Sequence, residues 1–174
     1  MTGQFLRGFL DGSLSILGIV IGASAASSAI IIAAALGGAL TAGIANLLSA
    51  LSAEEVEQYK ELRRIEDAMV SVELKGSQLD TQISKRTAKV GAIDGLGTVI
   101  GGSIPILPYL FLPSFEAMIV AIGVVIVMVS FLGIYMGKVS RKNIAFSALK
   151  MVTFTAAVAA VVYLVQALIV PDSG

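Results

Sequence analysis

The sequence predicts an all-α membrane protein of five transmembrane helices, with a charged helical cytoplasmic segment between spans two and three. Three observations predict it. Hydrophobic residues make up 56% of the chain and charged residues 14%, against roughly 45–50% and about 25% in ordinary soluble domains. The few charges are also confined: none falls between Gly12 and Ala53, Gly95 and Phe115, Ala117 and Gly137, or Met151 and Pro171. A helix needs about 20 apolar residues to cross a hydrocarbon core of roughly 30 Å, so the first window holds two spans and each other window one. With five spans, the basic residues all fall on one side.

The spans are expected at residues 9–24, 29–49, 91–111, 117–137 and 151–170. Spans one and two are joined by ASAASSA, short and uncharged, and form a tight hairpin. An arginine, an apolar run and Ala23-Ser24-Ala25 have the order of a cleaved leader, but Asp11 inside the run and the immediate second span argue against cleavage. Arg7 precedes span one, Lys60 to Lys89 lie between spans two and three, and Lys138 to Lys150 lie between spans four and five. By the positive-inside rule these segments face the cytoplasm. The N-terminus is then inside and the C-terminus outside, with a prokaryotic plasma membrane the expected location. Residues 1–51 form spans one and two, 52–90 the cytoplasmic segment, and 91–174 spans three to five.

Composition excludes several kinds of chemistry. Cysteine, histidine and tryptophan are absent, which removes disulfides, thiolate and imidazole metal sites and any histidine-dependent triad. No nucleophile with a base and no phosphate-binding loop is present, so no enzyme is expected. The formal net charge is zero and the charged segment mixes both signs, so nucleic acid is not an expected partner. The lipid bilayer is.

Two stretches resemble each other: FLDGSLSILG, residues 9–18, and AIDGLGTVIGG, residues 92–102, each place Asp-Gly near the start of a span. Because both spans start on the same side, the plan is a parallel repeat. An ionised side chain in a span costs at least about 2.5–3.5 kcal/mol at the bilayer centre and commonly marks an ion path. Asp11, about one turn inside, has two readings: a residue that caps the helix start, where the macrodipole favours an anion, or one on a polar track beside a seam of close-packing glycines.

The segment SAEEVEQYKELRRIEDAMVSVELKG, residues 52–76, is rich in helix formers and is expected to extend span two as a helix. At about 100° per residue, Glu54, Glu57 and Glu61 share one sector and Glu55, Glu66, Met69 and Glu73 the neighbouring one. This is either a solvated face laced with i,i+3 and i,i+4 ion pairs or an acidic arc for divalent cations. Carboxylates suit hard ions, and a thioether favours softer transition metals.

Four motifs resemble the vacuolar iron transporter family. They are Asp11-Gly12; GGALTAGIANLLSALSAEEVE, residues 37–57; DAMVSVELKG, residues 67–76; and, most specific, GGSIPILPYLFLP, residues 101–113. The resemblance implies a homodimeric antiporter that moves Fe²⁺, and Mn²⁺ or similar ions, out of the cytosol in exchange for protons. No cofactor is tightly bound; Fe²⁺ or Mn²⁺ is the cargo. It implies that Asp11 lies on the ion path, and that Met69, Glu73, Glu54, Glu57 and Glu61 gather metal. Pro105 and Pro108 free backbone carbonyls and either kink span three or open it near the path.

The chain departs from the family pattern at Ala42, where a methionine is usual, at Asn46, where a glutamate is usual, and at Val70 in place of a second methionine. Asn46 still offers a neutral carbonyl oxygen. The internal repeat, and not the family, suggests that Asp94 supplies the missing charge. The expected metal set is Asp11, Glu54, Glu57, Glu61, Met69 and Glu73; the expected path is Asp11, Asn46 and Asp94. The alternatives are a carrier of the same fold for a different solute, and a scaffold that binds a partner protein through its charged segment without transport.

Overall fold

The computed structural model describes residues 2–68, 78–140 and 143–169. Within them are helices α1 (Thr2–Gly22), α2 (Ser28–Ala68), α3 (Gln78–Ser103), a 3₁₀ helix (Ile104–Leu110), α4 (Ser114–Val139) and α5 (Ile144–Ile169). No strand occurs among the described residues. Five helices are long and apolar enough to cross a membrane, as the charge-free windows predict.

The boundaries move where local chemistry was overlooked. Helix α1 starts at Thr2, not at residue 9, because Arg7 is paired within the bundle and does not end the apolar run. Asp11 therefore lies deeper than one turn, close to the middle of the helix. Helix α5 starts at Ile144 rather than 151, where Asn143 Oδ1 accepts from the backbone N–H groups of Ala145 at 3.1 Å and Phe146 at 3.4 Å. That is an N-cap. Helix α2 runs unbroken for 41 residues, about 62 Å at 1.5 Å per residue, so roughly half of it extends beyond a 30 Å hydrocarbon core.

Glycine sets the spacing of the helices. A Cβ on Gly8 or Gly12 of α1 would collide with the carbonyl oxygens of Asp94 and Thr98 on α3, and one on Gly97 or Gly101 of α3 with those of Phe5 and Phe9 on α1. These are two facing small-xxx-small pairs, the arrangement that brings membrane helices into backbone contact. The contacts advance together along both helices, so α1 and α3 run parallel, as the repeat requires. Gly91 and Gly95, on another face of α3, meet α2: a Cβ on Gly95 would lie 2.7 Å from Gly43 O, and one on Gly91 3.0 Å from Leu47 O. Gly133 and Gly137 let α4 lie against Ala148 and Ile144 of α5 in the same way.

The apolar core fills the end of the bundle away from the basic residues. Ile16, Leu17, Val20 and Ile21 of α1 pack with Ile31, Ala35 and Ala39 of α2, Ile106 and Tyr109 of the 3₁₀ helix, and Ala117, Ala121 and Val125 of α4. At the same end, Gln166 Nε2 donates to Ser24 Oγ at 2.6 Å and the hydroxyls of Ser28 and Ser114 meet at 2.8 Å. These bonds tie the α1–α2 turn to the ends of α5 and α4.

Pro105 and Pro108 tighten span three into the 3₁₀ helix in place of a simple kink. Proline at 105 has no N–H to give the carbonyl four residues earlier, that of Gly101. Ser13 Oγ takes up this oxygen at 3.0 Å and reaches Phe9 O at 2.8 Å, its single proton lying between the two acceptors. The Asp-Gly-Ser of α1 thus serves the proline break of α3.

Gly12→Ala and Gly101→Ala should each lower the thermal midpoint followed by circular dichroism in detergent, at an overpacking cost of about 1–3 kcal/mol. Gly123→Ala, where nothing lies within 4 Å of the new Cβ, should leave the midpoint unchanged or raise it through better helix propensity.

Candidate functional site

Where α1, α2 and α3 meet, three polar side chains form a chain of hydrogen bonds. Asn46 Nδ2 donates to Asp11 Oδ2 at 2.6 Å and to Thr98 Oγ1 at 2.8 Å. The Thr98 hydroxyl donates in turn to the backbone oxygen of Asp94 at 3.0 Å, the bond to the preceding turn that threonine makes in helices. With its proton so placed, Thr98 can only accept from Asn46, and a carboxylate oxygen also only accepts. Both partners therefore require the NH₂ side of the Asn46 amide, whose orientation the network fixes. Gly8 and Gly12 give Thr98 this position, since a Cβ on either would strike the α3 backbone at Asp94 or Thr98.

The burial of the three differs. Thr98 is fully buried, Asn46 half-buried, and Asp11 exposed on the outer face of α1. Arg7, Asp11 and Ser15 are all exposed on that face at i, i+4 and i+8, a polar stripe along one side of a membrane helix. Ala42, one turn from Asn46 on α2, is half-buried beside it.

Asp94 is placed otherwise than the repeat suggested. Its side chain is 1% exposed and is held by Arg7, whose Nε donates to Oδ1 at 3.1 Å and whose Nη2 donates to Oδ2 at 2.7 Å. This is a two-pronged guanidinium–carboxylate pair, and it neutralises a carboxylate that could not stand alone in the bundle. So Asp94 does not add an open charge beside Asp11. The two Asp-Gly motifs do separate work, one holding an exposed carboxylate and the other an internal ion pair.

The other expected residues belong to the segment that follows span two. Glu57 and Glu61 are exposed on the extension of α2; Glu54 is on the same helix, with its side chain outside the described residues. Met69 and Glu73 also lie outside them. Among the described residues no group of three acidic side chains is close enough to hold a metal ion. Arg7, read from the sequence only as a mark of orientation, and Thr98 were not expected at the site. The available signals were an arginine one turn before Asp11 and a hydroxyl one turn after Asp94.

A model of the VIT family matches residues 45–167. The chain is also 38% identical over 168 residues to an uncharacterized protein of Methanocaldococcus jannaschii, a match that covers 95% of this chain and 88% of that one.

Thr98→Val keeps the shape and removes the hydroxyl, so Asn46 loses an acceptor and stability should fall by about 1–3 kcal/mol. Asn46→Leu should cost a similar amount. The double variant should lose less than the two costs combined, by at least about 0.5 kcal/mol in a thermal-unfolding cycle, since the pair shares one bond.

Proposed function

The chain belongs to the VIT family, a family of transporters, and we propose that it exports divalent transition-metal ions, Fe²⁺ and Mn²⁺, from the cytosol in exchange for protons. The observation that carries this reading is the Asp11 carboxylate. It stands within a membrane span with the Asn46 amide as its hydrogen-bond donor, while the neighbouring Asp94 has a cationic partner. A carboxylate kept in such surroundings with an amide, and no cation, bonded to it fits a cation that arrives and leaves.

Asn46 supports the same step. It now presents N–H groups, which suit the metal-free carboxylate; turned about its terminal torsion it would present Oδ1 to a cation held by Asp11. Oxygen donors suit hard to borderline divalent ions. Once the ion leaves, a proton can take its place on each Asp11 carboxylate, which is the exchange proposed. In the orientation proposed from the positive-inside rule, the N-terminus and the acidic extension of α2 are cytosolic, so Glu54, Glu57, Glu61, Met69 and Glu73 would gather ions on the side from which they are exported.

A homodimer completes the proposal. In a single chain the stripe of Arg7, Asp11 and Ser15 would face lipid, at a cost of several kcal/mol. A second copy related by a two-fold axis would cover it and bring a second Asp11 carboxylate toward the same path. The observation that favours a different solute is the donor set itself, since Ala42 and Asn46 leave one formal negative charge per chain in the path.

Purified protein in liposomes should accumulate Mn²⁺ and Fe²⁺ when an opposing proton gradient is imposed. Asp11→Asn should reduce the initial rate at least about tenfold, the effect of some 1.4 kcal/mol. Vesicles that take up neither ion while another solute moves would favour the second reading.

A further inference from the structure

We propose that Asp94 is a latch that holds the Arg7 guanidinium away from Asp11 and so keeps the cation site open. The inference rests on the reading of Asp11 as a cation site. Arg7 and Asp11 lie one turn apart on the same exposed face of α1, the spacing at which oppositely charged side chains on a helix meet. Left to itself, Arg7 would be a tethered cation within reach of the carboxylate that is to bind the travelling one. The structure gives its hydrogen bonds elsewhere, although Arg7 still feels the charge of Asp11. Both prongs of the guanidinium are given to Asp94 on the neighbouring helix, at 2.7 and 3.1 Å, although the arginine side chain itself is 63% exposed and the aspartate only 1%.

The asymmetry of burial makes the latch one-sided. Asp94 sits inside the bundle with Arg7 as its cationic partner, so losing Arg7 would strand a charge in a dry site. Arg7 at the surface could pair with either carboxylate. The buried one sets the choice, because its need for a partner is the greater. The glycines fix the geometry: Gly8, next to Arg7, lies against the backbone oxygen of Asp94, which brings the base of the arginine to the residue it must reach. Asp94 is therefore a positioning residue, acting on the cation through Arg7.

The latch predicts a non-additive pattern that a merely structural pair would not give. With Mn²⁺ as the probe, in detergent and monitored by electron paramagnetic resonance, wild type should bind and Asp11→Asn should not. Asp94→Asn, close in shape, frees Arg7 to pair with Asp11 and should weaken Mn²⁺ binding at least about tenfold, a modest value for a unit charge brought within a few ångströms. Arg7→Gln combined with Asp94→Asn removes both charges and should bind within about threefold of wild type, a small difference on the free-energy scale. Asp94→Asn that binds as wild type does, or a double variant no better than the single one, overturns the latch.

A metal-free readout separates this inference from the transport reading. In the nuclear magnetic resonance spectrum, the Nε–H resonance of Arg7 should keep the signature of a carboxylate-paired guanidinium in Asp94→Asn and lose it when Asp11→Asn is added. A resonance already lost in Asp94→Asn alone overturns the latch whatever Mn²⁺ does. Wild type that fails to bind Mn²⁺ while this spectral pattern holds counts against the cation reading and not against the pairing.

Discussion

The contact between the backbones of α1 and α3 is the constraint on which the rest depends. With a side chain at Gly8, Gly12, Gly97 or Gly101 the new Cβ would run into a carbonyl oxygen of the other helix, and the two would have to separate. Three polar arrangements would then fail together. Arg7 would lose its two-pronged hold on Asp94, Thr98 would move off Asn46, and Ser13 would no longer reach the Gly101 oxygen that Pro105 leaves without a donor. In lipid no solvent stands ready to replace these partners. A seam of glycine on backbone thus holds these three polar arrangements in place.

The two halves of the bundle divide the labour. Toward the uncharged end, large aliphatic side chains of α1, α2 and α4 interlock around the 3₁₀ helix in a core like that of a soluble protein. Toward the basic end the packing is glycine on backbone, and the Arg7–Asp94 pair and the Asp11–Asn46–Thr98 chain are found there. Close backbone approach leaves little room for bulk but places hydroxyls, amides and carboxylates from three helices within bonding distance. The candidate site occurs where side chains are small because only there can α1, α2 and α3 converge on one point.

The number of spans and the parallel course of spans one and three were legible from charge-free windows and a repeated Asp-Gly. The grouping of Asp11 with Asn46 was legible, and the structure joins the two by a hydrogen bond. The use of Asp94 was not, because a repeat specifies position along a helix and not the angle at which a side chain leaves it. Asp11 faces outward while Asp94 faces the interior, a difference of helix rotation that depends on which glycines meet which neighbour. Arg7 was read as a mark of orientation, since a lone arginine before an apolar run is usual at a membrane surface; its inclusion in α1 depends on a partner 87 residues away. The start of α5 was missed for a local reason, the Asn143 cap, which lies among charged residues that look like the end of a loop.

The 3₁₀ helix that closes span three has a consequence for reach. Such a helix climbs about 2.0 Å per residue where an α-helix climbs 1.5 Å, so Ile104–Leu110 advances roughly 14 Å instead of about 10 Å. The slender coil carries the chain to the far leaflet before the sharp reversal at Pro113. It also gives α4 a narrower neighbour to pack against, since a 3₁₀ helix is wound more tightly than an α-helix. A stretch of proline-bearing chain thereby acts as a spacer, trading girth for height.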